Sequence, residues 1–138
     1  MRQEPSSISA PRSTLSLRML LVDDNPLFLV HLARWLSRQM TIDIVGQAHS
    51  GREGVLLSEQ LRPDVILMDT GMMPMNGFDT LKQIKHARVS SRIVLMSTNR
   101  LEEYSEEFIL CSDGFVQKDE LFSQLFPLLA RLFPYHRL

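Results

Sequence analysis

One cysteine, Cys111, stands in a chain of 138 residues. An intrachain disulfide is therefore impossible, and a small fold held by bridges is excluded. The plain reading of Cys111 is a small buried apolar residue rather than a reactive thiol. Long apolar runs are missing too: none approaches the roughly 18 residues that a membrane span needs. Charge of one sign is not in excess. The formal net charge is -1, so no global field draws in nucleic acid or anionic lipid. No stretch ends in the Gly-Lys-Ser/Thr of a nucleotide-binding phosphate loop. His31, His49, His86 and His136 fall on different segments, without the spacing of a metal-binding or phospho-accepting set. They read as surface or rim residues.

What is there is ordinary for one soluble domain: 44% hydrophobic and 22% charged residues, enough apolar content for a single core at this length. Residues 1–14 hold Pro5, Pro11, Arg2, Arg12 and a scatter of Ser and Thr, and read as a disordered tail. The folded unit is expected over 15–138. Its first run, Leu15–Val22, is interrupted by Ser16 and Arg18 and ends in acids, unlike a signal peptide. A cytoplasmic chain is the expectation.

Short apolar runs then alternate with helical periodicity. Leu17–Val22 stops at Asp23-Asp24, and Pro26 opens a helix carrying Leu27, Val30, Leu32, Ala33, Trp35 and Leu36. Ile42–Ala48 is a β-branched strand candidate. Ser50 caps a helix through Leu61, with Glu53 completing a capping box. Arg62-Pro63 breaks it. The run within Asp64–Met68 reads as a buried strand, Gly71–Gly77 as a loop and Phe78–Ala87 as a helix. Ile93–Met96 is a fourth strand, Leu101–Leu110 an acidic helix and Phe115-Val116 a fifth strand. Asp119 is a candidate cap for a last helix. Five strands alternating with helices predict an α/β fold, a doubly wound five-stranded parallel sheet in the order 2-1-3-4-5. Ligands bind such sheets at the carboxyl ends of the strands, where strands 1 and 3 meet.

That order brings Asp23 and Asp24, after strand 1, beside Asp69, after strand 3. One such acid is usually a helix cap or turn former. Three converging carboxylates repel, and a cation relieves them. Oxygen ligands from carboxylates and water suit Mg²⁺. Ser97, ending strand 4, and Lys118, following strand 5, fall on the same rim and offer a hydroxyl and a point charge.

These residues carry a resemblance. Leu20-Leu21-Val22-Asp23-Asp24-Asn25-Pro26-Leu27-Phe28, Val65-Ile66-Leu67-Met68-Asp69 with Met72, Asn76 and Gly77, Ile93-Val94-Leu95-Met96-Ser97 and Asp113-Gly114-Phe115-Val116-Gln117-Lys118-Asp119 together resemble response-regulator receiver domains, especially those of LuxR-type regulators. The resemblance covers about residues 17–133 and implies the flavodoxin-like receiver fold. It implies that Asp69 accepts a phosphoryl group from a histidine kinase or phosphotransfer protein. Asp23 and Asp24 would hold Mg²⁺ with Asp69 and the backbone carbonyl of Gly71. Ser97 would bond the phosphoryl oxygen, Lys118 would pair with its charge, and Phe115 would be the aromatic that swings inward. The chain would catalyse only its own phosphorylation and slow dephosphorylation. Three departures stand out. Met73 sits where the family has proline, with Pro74 one later. Thr98 replaces a small residue and is expected to crowd Asp69. Phe115 lacks the hydroxyl of the commoner Tyr, so an aromatic switch there would work by packing alone.

LuxR-type relatives continue into a helix-turn-helix domain, whereas this chain ends at Leu138. No direct DNA binding is expected, and a stand-alone receiver is the favoured reading over a fragment. Output then runs through a downstream protein target. The last helix is apolar over about half its circumference. Phe126 and Phe133 are candidates for a partner surface, including a homodimer, and Pro127 should kink the helix from its solvent face. A phosphatase of the haloacid-dehalogenase type is disfavoured, because Gly71 stands where its general-acid Asp belongs. A flavodoxin-like cofactor binder is disfavoured by the acidic first loop. A degenerate receiver acting as a constitutive interaction module is the remaining alternative.

Overall fold

The computed structural model describes residues 16–73, 75–87, 89–136 and 138. The expected tail over 1–14 and the displaced Pro74 lie outside the described residues. Five strands, β1 (Leu17–Val22), β2 (Ile42–Ala48), β3 (Val65–Asp69), β4 (Arg92–Ser97) and β5 (Gly114–Gln117), form one parallel sheet in the order β2-β1-β3-β4-β5. Five helices cover it: α1 (Pro26–Ser37), α2 (Gly51–Leu61), α3 (Gly77–His86), α4 (Glu106–Cys111) and α5 (Leu121–Leu132). The expected α/β architecture and strand order are therefore present.

The strands divide their side chains between two cores, as a period of two requires. Leu17, Met19, Leu21, Val65, Leu67, Val94, Met96 and Val116 face α1 and α5. Leu20, Val22, Ile66, Met68, Ile93 and Leu95 face α2, α3 and α4. Both faces are covered, which is why these runs read as continuously apolar rather than alternating. Each fully buried Leu or Ile side chain contributes about 2–3 kcal/mol.

Helix ends follow local rules, with some differences from expectation. Asn25, rather than either aspartate, caps α1: its side chain accepts from the Phe28 N–H. Ser50 caps α2 as expected, but the Glu53 carboxylate accepts from the His49 N–H (2.6 Å) instead of closing the box on Ser50. Arg62 ends α2 in the left-handed region, φ 48°. The Arg18 guanidinium holds it there by donating to the carbonyls of Leu61 and Arg62.

The single acidic helix expected over Leu101–Leu110 is two elements. A 3₁₀ turn (Leu101–Glu103) ends at Tyr104, whose backbone is extended, and Ser105 caps α4 by accepting from the Phe108 N–H. A serine hydroxyl competes with helical continuation in this way. The expected cap at Asp119 is also displaced. Lys118–Glu120 forms a 3₁₀ turn leading straight into α5, whose N-cap position is Glu120, with no side-chain cap bond. Within α5, Pro127 is exposed. Phe126 packs edge-on against Trp35 at 5.5 Å and Phe133 against His136 at 5.5 Å, both half-buried against the chain's own core. Phe122 is the aromatic that stays 63% exposed on this helix.

Candidate functional site

Strand register decides which residues meet. Val22 pairs with Met68, Met68 with Leu95 and Leu95 with Phe115. One step further along this line come Asp23, Asp69, Met96 and Val116. Ser97 lies a further step along and pairs with Gln117, so Lys118 follows at once. Asp23, Asp69, Ser97 and Lys118 therefore reach the carboxyl rim of the sheet, around the β1–β3 switch point, while Phe115 lies one row short of Asp69.

Oxygen atoms of Asp23, Asp24 and Asp69 lie within 4.8 Å of one another. Asp23 is fully buried and Asp69 nearly so, whereas Asp24 is exposed. With Asn25 supplying the helix cap, neither acid after β1 is needed for that purpose. Asp23 instead accepts from the Asn25 N–H through Oδ1 (2.9 Å), which fixes its rotamer. The Lys118 ammonium lies 2.8 Å from Asp23 Oδ2 and 3.1 Å from Asp69 Oδ1, and 4.2 Å from the centroid of the Phe28 ring. Phe28 thus closes one side of the lysine with an aromatic face, a favourable seat for a cation.

Burial, and then the neighbouring charge of Asp23, raise the Asp69 carboxyl above its ordinary value; Lys118 and the Gly71 N–H pull the other way. Burial alone would lower Lys118. Its bond to Asp23 and the charges of Asp69 and Asp23 outweigh that and hold the ammonium above the usual lysine value. Lys118 offsets one carboxylate of three, so the pocket retains negative charge for a cation to neutralise. Three carboxylates with an open, exposed side fit a hydrated Mg²⁺, which keeps several waters and takes one or two carboxylates.

The loop after Asp69 is shaped by glycine and hydrogen bonds. Gly71 donates its N–H to Asp69 Oδ2 (3.1 Å). Gly77 donates to the Thr70 carbonyl, and a Cβ on Gly77 would lie 2.7 Å from Thr70 Cα and 2.8 Å from the Asp69 carbonyl oxygen. Only glycine lets α3 begin so close to the end of β3. Met73 is 71% exposed. Thr98, expected to crowd Asp69, is exposed as well.

Three residues in this neighbourhood had no signal in the sequence. Thr70 Oγ1 meets the Tyr104 hydroxyl at 2.9 Å. Tyr104 also shares a short hydrogen bond with Ser97 Oγ. Asn99 donates its N–H to Ser97 Oγ (2.9 Å) and its amide to Tyr104 (3.3 Å). The Tyr104 ring packs against Phe108 and Phe115, 5.3 and 5.8 Å between centroids. The aromatic hydroxyl that Phe115 lacks is therefore present beside it, on a different element. No spacing rule links Tyr104 to Asp69 along the chain, so only the fold reveals it. The histidines contribute nothing here: His31, His49 and His86 are exposed, and His136 packs on Phe133.

Comparison with known proteins agrees with this geometry. Residues 19–129 match the response regulator receiver domain. The nitrate/nitrite response regulator protein NarL of Escherichia coli K12 is 35% identical over 118 residues, 85% of this chain and 50% of that protein. The transcriptional regulatory protein LiaR of Bacillus subtilis is 39% identical over 82 residues, 59% of this chain and 39% of its own. The chain thus spans about half the length, or less, of these curated relatives. Among solved structures, the response regulator domain of Thermotoga maritima CheB shares 28% identity at a TM-score of 0.69, covering 86% of this chain and 94% of that one. A LuxR-family two-component response regulator from Aurantimonas sp. SI85-9A1 is similar in fold, with a TM-score of 0.79 and 20% identity over 88% of both chains. The chain belongs to the response regulator receiver domain family and is a module of phosphorylation-based, two-component signalling.

Proposed function

We propose that this chain is a phosphorylation switch in which Asp69 is the acceptor. The observation that carries the reading is the convergence of Asp23, Asp24, Asp69 and Lys118 at one rim. A carboxylate oxygen of Asp69 attacks the phosphorus of a phosphohistidine on a histidine kinase or phosphotransfer protein. The phosphorus–nitrogen bond breaks, its electron pair returns to the imidazole, and an acyl phosphate forms. Phosphoryl transfer needs positioning and charge neutralisation more than covalent help. Lys118 supplies a fixed positive charge to the transferring oxygens, and Gly71 N–H orients the Asp69 carboxylate. Asp23, Asp24 and Asp69, with the Gly71 carbonyl, would hold Mg²⁺, which would supply the remaining charge neutralisation.

The product adds about one negative charge at the pocket. Ser97 donates to a phosphoryl oxygen, Lys118 pairs with the group, and Phe115 moves with the β4–α4 region. The signal leaves by contact with a downstream protein, including a homodimer through α5. The missing acid at Gly71 suits slow dephosphorylation of a timer, not substrate turnover.

The test is intact mass after incubation with a small-molecule phosphodonor, with and without Mg²⁺, on the wild type and Asp69→Asn. One phosphoryl adduct requiring both Mg²⁺ and Asp69 is expected. Absence of the adduct, with Mg²⁺ shown to bind, would remove the phospho-switch and leave a constitutive interaction module.

A further inference from the structure

We propose that Tyr104 is the positioning residue for Ser97, and that its phenol carries the state of the acceptor site into the segment between β4 and α4. This inference rests on Asp69 phosphorylation as described above. It adds a residue that the sequence motifs do not include.

The argument is one of proton counting. A hydroxyl has one proton and two acceptor positions. Ser97 Oγ already accepts from the Asn99 N–H, and shares its second bond with Tyr104. Tyr104 in turn meets Thr70 Oγ1 and accepts from the Asn99 amide. With one proton, Tyr104 donates to either Ser97 or Thr70, not both. Before phosphorylation either direction satisfies the chain of hydroxyls. Once Ser97 donates to a phosphoryl oxygen, it has only an acceptor position left for Tyr104. The direction is then set: Thr70 donates to Tyr104, Tyr104 to Ser97, and Ser97 to the phosphoryl group. Hydrogen bonds aligned in this way polarise one another.

The ring gives this alignment a mechanical reach. Tyr104 is the residue after the 3₁₀ turn and precedes the Ser105 cap of α4, so it joins two short elements. It lies between Phe108 of α4 and Phe115 of β5. Thr70, nearly buried, anchors the phenol from the residue after Asp69. A change at Asp69 is therefore transmitted to α4 through one side chain of this chain's own, beside the apolar Phe115.

The test uses the full chain and Tyr104→Phe, which keeps the ring and its packing. Lifetime of the phosphoryl adduct is followed by intact mass in the wild type, Tyr104→Phe, Ser97→Ala and the double variant. Tyr104→Phe is expected to shorten the lifetime about fivefold, the effect of one lost hydrogen bond. In the Ser97→Ala background it should change nothing further, since Tyr104 acts through Ser97. A second readout is fluorine NMR of protein labelled with 3-fluorotyrosine. The chain has two tyrosines, and Tyr135→Phe assigns the signals. The Tyr104 signal should move on phosphorylation and stay in place in Ser97→Ala. An unmoved Tyr104 signal in protein whose mass shows the adduct would overturn the proposal while leaving the switch intact. Equal effects of Tyr104→Phe with and without Ser97 would overturn it too. Failure to form any adduct would remove the switch and this proposal together.

Discussion

Lys118 and Asp23, on β-strand ends separated by 95 positions of chain, place Nζ 2.8 Å from Oδ2. Asp23 is fully buried, so its charge depends on this partner. Removing one member of a buried pair leaves the other uncompensated. Lys118→Ala is expected to destabilise the chain by roughly 1–2 kcal/mol in Mg²⁺-free buffer, below the cost for a fully enclosed pair because the pocket is open at Asp24. Urea unfolding measures this. Saturating Mg²⁺ should return part of the loss, since a cation that binds only the folded state stabilises it.

Asp69 makes the opposite demand. Burial and Asp23 raise its carboxyl above the ordinary 3.8, so the folded chain holds that proton more tightly than the unfolded chain. Between 3.8 and the higher folded value, its contribution to stability falls as pH rises. Lys118, whose value is also raised, shows the same slope at the alkaline end: its contribution is complete below 10.5 and is lost as pH climbs through the raised value. At neutral pH without Mg²⁺, Asp69→Asn should therefore raise the melting temperature by about 3 °C, corresponding to on the order of 1 kcal/mol. The gain should shrink when the pH is lowered toward 4 or Mg²⁺ is added. A variant that melts lower than wild type at every pH would show that the Lys118 pairing outweighs the burial of Asp69.

Gly77 tests the backbone of the loop after Asp69. A methyl group there meets main-chain atoms of Asp69 and Thr70, which are not flexible side-chain ends. Gly77→Ala is expected to cost about 2 kcal/mol. It should also slow adduct formation several-fold, because the loop that orients Asp69 must shift. Thermal melting and the time course of intact mass separate the two effects.

Much of the architecture is legible in the sequence because the sheet is buried on both faces. Runs such as Val65-Ile66-Leu67-Met68 need no partner to be read as strands, and Pro26, Ser50 and Pro63 punctuate the helices by local chemistry. The convergence of the candidate side chains was legible where each ends a strand. Asp23, Asp69, Ser97 and Lys118 follow directly from strand ends, and parallel register then carries them to one rim.

Where the reading departs from the structure, the deciding interaction is tertiary. An acidic stretch from Leu101 to Leu110 has helical composition, but the Ser105 hydroxyl and the docking of Tyr104 onto Ser97 and Thr70 divide it. Asn25 takes the cap that Asp23 and Asp24 were equally suited to by composition. Phe126 and Phe133, candidates for a partner surface in the sequence, pack against Trp35 and His136 of the same chain. The sequence by itself determined which segments are strands, their order and the acids at their ends, since these depend on local pattern and on the rules of parallel sheets. Only the tertiary structure decided which hydroxyls meet, because a hydrogen bond across 34 residues, such as Thr70 to Tyr104, is set by packing and leaves no periodicity behind.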